Sequence, residues 1–391
     1  MPLAVHSSRF DVPSSIIFGG GSRLKLGEVA TELGASRALI VTDPGVVKLG
    51  IVGEIESILV GARLTVRVFD DVQPDPTDTN VTAGVAELKA HCADLVVAVG
   101  GGSPIDTAKV IAIRPTNTQP LTNYMGLHKI SEPGVPLVAI PTTAGTGSEA
   151  TKVAVITDTE RDVKMMMLSV PLLPRVALVD YELSLSMPKG LTAAVGVDTL
   201  THGIEAYVSK KQNAMTDPLA LSCVSLVGKH LKRAWMNPDD QEAREGMMLA
   251  ACQGGMAFSN SSVCLVHGMS RPIGAVFHLP HGLSNAILLP TITCYSWRSV
   301  PDRYAMIART LGCADASSTP EEACEALVKY LQDLNTFLEI PRFSRCRGVD
   351  RVIFEEQVEK MALDAVASGS PANNPREPSA SEIVELYKEA W

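Results

Sequence analysis

DLVVAVGGGSPIDTAKVIAI, residues 94–113, holds the turn on which the fold of this chain is decided. Residues 94–100 form a short apolar run rich in Val, the signature of a buried strand. Gly100–Gly102 follow at its C-terminal end, Ser103 is placed to cap a helix, and Pro104 suits a first helical turn. A strand, a glycine loop and a helix in that order offer backbone N–H groups and a helix dipole to a phosphate. The loop lacks the GxGxxG fingerprint, so a plain tight turn is the competing reading. The other GGGS, at 19–22 after SSIIF, reads as a structural turn.

The pattern repeats outward. RALIVTD, LTVRVFD, PLVAIPT, KVAVITD and RVALVD also read as strands. SRLKLGEVATELG and PTDTNVTAGVAELKAHC read as helices between them. Such alternation predicts a parallel sheet covered on both faces. It stops near Asp180. Beyond it come long Ala- and Met-rich stretches of helical pattern, such as LTAAVGVDTLTHGIEAYVSK and AREGMMLAACQGGMAFS. The prediction is an α/β, Rossmann-like dinucleotide-binding domain over 1–187, followed by an all-α domain over 188–391. A chain of 391 residues is long enough for two cores.

Composition narrows the function. A net charge of −9 argues against a general nucleic-acid binder. The cysteines (Cys92, Cys223, Cys252, Cys264, Cys294, Cys313, Cys324 and Cys346) form no CxxC pair and read as reduced thiols. MPLAVHSSRFDVPSS has no basic segment leading into an apolar one, and no apolar run approaches the ~18 residues of a membrane span. A soluble, cytoplasmic protein is expected.

TTAGTGSEAT, residues 142–151, follows a strand and clusters small hydroxyl side chains with glycines. With Gly100–Ser103 it would line a crevice at the carboxyl edge of the sheet, where such folds bind nucleotides. Asp43 ends the strand RALIVTD. It is placed either to bond ribose hydroxyls and repel a 2′-phosphate, favouring NAD over NADP, or to cap a helix before Pro44.

GVDTLTHGIEAYVS, residues 196–209, sets Asp198 and His202 at i and i+4 on one helical face. Alone, such a pair is more often a surface helix pair or a buried polar contact than a metal site. VHGMSRPIGAVFHLPHG, residues 266–282, adds His267, His278 and His281, with Gly and Pro between them that would let the chain fold back. Asp198, His202, His267 and His281 make a carboxylate–imidazole set suited to Fe²⁺ or Zn²⁺.

GGGSPIDTAK, PTTAGTGSE, GVDTLTHGIEAYVS and VHGMSRPIGAVFHLPHG, in this order, resemble the iron-containing (group III) alcohol dehydrogenases. That family includes lactaldehyde reductases and 1,3-propanediol dehydrogenases, and the resemblance covers nearly the whole chain. It implies the dehydroquinate synthase-like architecture, an α/β domain and a helical domain with a cleft between them, and a homodimer or larger assembly. Asp198, His202, His267 and His281 would hold Fe²⁺, or Zn²⁺. Gly101, Gly102 and Ser103 would bind the pyrophosphate of NAD with Asp106 nearby. Thr142, Thr143 and Thr146 would line the cofactor site, Lys164 would reach the nucleotide, and Asp43 matches the acid of NAD-preferring members. Phe258 matches an aromatic near the substrate pocket.

Two positions depart from the family. Arg271 stands where many members carry a proton-transferring His, and an arginine that stays protonated is a poor acid or base. Asp75 stands where the family often has Asn. His278 is then a candidate proton carrier, against a turn residue facing solvent. Arg271 and Lys152 would together hold an anionic substrate group if both faced it. The implied activity is reversible hydride transfer between a small alcohol and NAD, giving an aldehyde or ketone. Rival readings are a glycerol dehydrogenase-like enzyme, a dehydroquinate synthase-like cyclase, a hydroxyacid–oxoacid transhydrogenase, or a catalytically silent nucleotide-binding scaffold.

Overall fold

The computed structural model describes residues 8–161 and 163–391. The first seven residues, which carry part of the reading against an export signal, lie outside them. Two compact units divide the chain: Asp11–Ser186, and Met187–Trp391 together with residues 8–10.

Among the described residues the first unit has nine strands: β1 (Ser15–Phe18), β2 (Arg37–Val41), β3 (Thr65–Phe69), β4 (Leu95–Gly100), β5 (Gly126–Leu127), β6 (Leu137–Pro141), β7 (Val153–Asp158), β8 (Val163–Leu168) and β9 (Val176–Val179). Six form a sheet in the order β1-β9-β6-β4-β2-β3, parallel throughout. β4 and β6 are buried at every residue, which is why they read as unbroken apolar runs and not as alternating ones. Side chains of alternate residues feed two cores. Ala38, Ile40, Val97 and Val99 meet Leu26, Ile55 and Leu59 on one face. Leu39, Val41, Val96 and Ala98 meet Val81, Leu88, Ile105 and Ile111 on the other.

The parallel prediction needs one correction. KVAVITD is a strand, β7, but it pairs antiparallel with β8 in a separate three-stranded sheet. β7 alternates half-buried and buried residues, as an antiparallel strand covered on one face should. β8, VKMMML, is not legible as a strand because unbranched methionines carry no β signature. Its Met165 and Met167 nevertheless join Ala154 and Ile156 in a core with Ile105 and Ala108.

The second unit is helical, with no strand among its described residues. Helix Lys189–Val208 is buried almost throughout from Thr192, the mark of a helix at the centre of a core. Helices Thr216–Met236, Gln241–Ser261, Leu265–Phe277 and His281–Ser296 follow it, and the chain closes on Ala380–Ala390. The segment VHGMSRPIGAVFHLPHG does not fold back through its Gly and Pro residues as read from the sequence. Helix Leu265–Phe277 runs through Pro272, and the turn is confined to residues 278–280. Pro272 lacks the N–H that would reach Gly268, but its fixed φ is helical. No helix among the described residues is long and apolar enough to cross a membrane.

Candidate functional site

Three helices of the second unit bring the ligand candidates together. Asp198 and His202 lie one turn apart on helix Lys189–Val208. His267 is in the first turn of helix Leu265–Phe277, and His281 opens helix His281–Ser296. Potential ligand atoms of Asp198, His267 and His281 all lie within 4.8 Å of one another. Asp198 Oδ1 is 3.6 Å from His267 Nε2 and 3.9 Å from His281 Nε2. His202, the fourth candidate, falls outside that 4.8 Å grouping but approaches the same carboxylate. Its Nε2 is 3.8 Å from Asp198 Oδ1, while its ring stacks on Phe258 at 4.4 Å and on His267 at 4.7 Å. Phe258 is thus a wall of the imidazole cluster.

Asp198, His202 and His267 are buried, whereas the His281 side chain is 41% exposed. The site therefore opens on the His281 side, where an exchangeable ligand has access. Burial alone would raise the Asp198 pKa, but His202, His281 and His267 outweigh it and hold the carboxyl well below the usual range. Burial likewise works against a charged His267, yet Glu205 and Asp198 push that imidazole up to about 9.

Asn285 tests whether a cation fits. It lies one turn after His281, fully buried. Its Nδ2 donates to Asp198 Oδ1 at 2.6 Å and lies 3.2 Å from His267 Nε2 and 3.1 Å from His281 Nε2. Its Oδ1, also buried, has no hydrogen-bond partner among the described residues. One carboxylate oxygen and two imidazole nitrogens thus converge on an electron-poor atom. Carboxylate and imidazole donors without thiolate suit Fe²⁺ or Zn²⁺, so the residues fit such an ion.

Glu205 escaped the sequence reading. It completes a stripe at i, i+4 and i+7 with Asp198 and His202, a signal available in GVDTLTHGIEAYVS. Its Oε2 lies 2.6 Å from His267 Nδ1 and accepts from Cys264 N at 2.7 Å, and its Oε1 accepts from Val266 N at 2.6 Å.

Arg271 is one turn beyond His267, and its guanidinium donates to Ser370 Oγ at 2.9 Å. Burial lowers its pKa and Glu205 opposes that shift. His278 ends helix Leu265–Phe277 in the left-handed region (φ 53°) with its side chain exposed. That is the geometry of a turn residue.

The nucleotide candidates all lie in the first unit. β2 and β4 are neighbours, but β2 leads to β3 on one side and β4 to β6 on the other. That reversal marks the crevice where open α/β sheets take their ligands. Gly100 sits at φ 149°, a region closed to other residues, as the chain leaves β4. A side chain at Gly101 would meet Thr143 Oγ1 at 3.3 Å, and one at Gly102 would meet Thr146 Cγ2 at 3.0 Å. Thr142 N donates to Gly100 O at 3.0 Å, so the 142–146 loop lies directly on the glycine loop. Ser103 is in the first turn of helix Gly102–Ile113.

Asp43 takes up the capping reading of its position and leaves one carboxylate oxygen uncommitted to the cap. Oδ1 caps helix Pro44–Lys48, accepting from Gly45 N and Val46 N at 2.8 and 3.0 Å. Oδ2 faces the Gly100 backbone. Asp106 instead braces the loops, accepting from Ser148 Oγ at 2.6 Å and Val155 N at 2.9 Å. Lys109, fully buried and not singled out in the sequence, donates to Ser148 Oγ, Thr151 Oγ1 and Val153 O within 2.9 Å. Lys164, on β8, pairs with Asp75 Oδ1 at 2.5 Å. Lys152 is buried and pairs with Asp11 Oδ2 at 2.7 Å. The GGGS at 19–22 is a turn, with Gly21 N donating to Asp180 Oδ1.

Comparison with known proteins agrees with this geometry. Residues 13–181 match the iron-containing alcohol dehydrogenase family, and residues 192–391 match the C-terminal part of the Fe-containing alcohol dehydrogenase family. The NAD-dependent methanol dehydrogenase of Bacillus methanolicus is 37% identical over 98% of this chain and 100% of its own. Lactaldehyde reductase of Escherichia coli (strain K12) is 38% identical over 96% of this chain and 97% of its own. The crystal structure of a 1,3-propanediol oxidoreductase superimposes with a TM-score of 0.95 at 36% identity, covering 99% of this chain and all of that one. The chain belongs to the iron-containing alcohol dehydrogenase family.

Proposed function

We propose that this protein is a metal- and NAD-dependent oxidoreductase that interconverts a small alcohol and its aldehyde or ketone. The convergence of Asp198, His267 and His281 on one point, buried except on the His281 side, carries the reading. Relatives named methanol dehydrogenase and lactaldehyde reductase support alcohol and aldehyde as the substrate class. Fe²⁺ or Zn²⁺, when bound, supplies a Lewis acid for the substrate oxygen, and NAD supplies the hydride carrier. The protein's part is to orient. Asp198, His202, His267 and His281 would hold the ion from three helices. Gly101, Gly102 and Ser103 present backbone N–H groups to the pyrophosphate. Thr142, Thr143 and Thr146 border that loop, and Asp43 would serve the ribose hydroxyls. Lys164, balanced by Asp75, adds a cation at the nucleotide.

Arg271 is no proton carrier, because a guanidinium remains charged at working pH. The hydroxyl proton would then have to leave through solvent water. Lys152 is already paired with Asp11, which leaves Arg271 as the better candidate to hold an anionic substrate group, and Arg271→Ala tests it. Equal losses on acidic and neutral alcohols would remove that role.

The decisive experiment depletes the enzyme of metal and reloads it with Fe²⁺ or Zn²⁺. Short diols, simple alcohols and acidic aldehydes are then screened by NADH absorbance. Metal-dependent turnover of free NADH is expected. Its absence on every substrate would leave a transhydrogenase with retained nicotinamide or a silent scaffold. The same reading places the enzyme in the cytoplasm as a homo-oligomer, and sedimentation tests the assembly.

A further inference from the structure

An imidazole that binds a metal through Nε2 must carry its proton on Nδ1. Nothing in a histidine side chain by itself enforces that choice, since the ring can adopt either tautomer and can turn over. At His267 the choice is made by a neighbour. Glu205 is 2% exposed, and its carboxylate lies 2.6 Å from His267 Nδ1. The same carboxylate accepts Cys264 N and Val266 N, the free donors at the start of helix Leu265–Phe277. The helix has no other cap of its own, because the side chain of Cys264 makes no capping bond. Three N–H groups thus meet two carboxylate oxygens. A carboxylate in that setting is an acceptor only, so His267 Nδ1 must be the donor, and Nε2, on the side of Asp198 and His281, is the nitrogen left to a metal.

We propose that Glu205 is the positioning residue of the metal centre. It sets the tautomer and angle of the His267 ring and, through the helix start, the place of the residue that carries the ring. Metal retention should then depend on Glu205 although it touches no ion. Partners of metal-bound histidines of this kind are worth roughly 10- to 100-fold in metal affinity. The inference rests on the reading of Asp198, His267 and His281 as ligands.

The test measures Zn²⁺ affinity by chelator competition in wild type, Glu205→Gln, Glu205→Asp and Asp198→Ala. It also records the d–d spectrum of the Co²⁺ forms. Asp198→Ala should abolish tight binding; if it does not, the ligand reading itself fails. With that loss established, Glu205→Gln should bind Zn²⁺ at least about tenfold more weakly and shift the Co²⁺ bands. Glu205→Asp, which keeps the charge but shortens the reach, should fall between Gln and wild type. Glu205→Gln binding within twofold of wild type, with an unshifted spectrum, would overturn the proposal. A measurement on wild type stands even if the variants misfold. ¹⁵N-histidine NMR of the Zn²⁺ form should show His267 protonated on Nδ1, and protonation on Nε2 would refute the role.

Discussion

Gly282 follows His281 directly, and a methyl group there has no room. The added Cβ would lie 2.9 Å from Ala194 O, 3.1 Å from Ala194 C and 3.3 Å from Val195 N. All three are backbone atoms of helix Lys189–Val208, so no side-chain rotation can relieve the contact. Ordinary van der Waals separation is about 3.5 Å, and the two helices must part by about 0.5 Å. Asp198 lies one turn beyond Ala194 and His281 one residue before Gly282, so the displacement falls on a ligand pair. Metal–ligand distances tolerate only about 0.2 Å. Helix propensity alone would favour Gly282→Ala by up to ~1 kcal/mol. Overpacking of this kind costs about 1–3 kcal/mol and should reverse the sign. The metal-free variant should melt lower by roughly 2–4 °C per kcal/mol lost. Zn²⁺ affinity by chelator competition should fall about tenfold or more, as for other disturbed ligand shells. Gly53→Ala is the control, since its Cβ would enter open space on exposed helix Ile51–Gly61; it should gain about 0.5–1 kcal/mol. A Gly282→Ala protein with unchanged melting and metal affinity would refute the claim that this glycine sets the helix approach.

Asp43→Asn keeps a good cap and removes a charge, so stability should hold while the preference for NAD over NADP in binding titrations narrows. Asp43→Ala should in addition lose about 1 kcal/mol in denaturant melts. Lys109→Met leaves half-buried Asp106 without the fully buried cation 3.7 Å away and should cost about 3 kcal/mol in the same assay. Burial lowers the Lys109 pKa to about 8 against Asp106 and Glu149, from 10.5. The unfolded chain therefore binds more protons between those values, and the lysine's contribution to stability rises with pH from 8 to 10.5. Melts of Lys109→Met across that window should lack the rise. His278→Asn should leave the pH–rate profile unchanged, because asparagine accepts the left-handed backbone and the exposed ring serves only the turn; a moved profile would restore His278 as a proton carrier.

Much of this architecture was legible because burial on both faces leaves an unmistakable trace. β4 and β6 must be apolar at every position, and the glycine loop must lack side chains where Thr143 and Thr146 press on it. β8 was hidden because methionine fills a core without signalling a strand. Helix Leu265–Phe277 was hidden by Gly268, Pro272 and Gly274, residues that weaken helical pattern but that packing overrides. At the centre itself, His267 and His281 were readable as imidazoles awaiting Asp198. Glu205 and Asn285 were not. A glutamate on a helix usually reads as a solvated face, and its partner His267 is 62 residues away. Asn285 has meaning only once His281 and Asp198 are placed around it. Asp106 was legible in SPIDTAK and Lys109 was not, because their commitment to Ser148, Thr151, Val153 and Val155 is a tertiary fact.

The ligand trio lies wholly within Met187–Trp391, and the glycine and threonine loops wholly within Asp11–Ser186. An ion that gathers three helices acts as a reversible clasp on one unit only, so its binding energy adds to that unit's stability and not directly to the other's. Chelation should therefore loosen the helical half first, leaving a species that still captures dinucleotide but has lost its Lewis acid. Loss of metal and loss of cofactor would then be separate routes to an inactive enzyme.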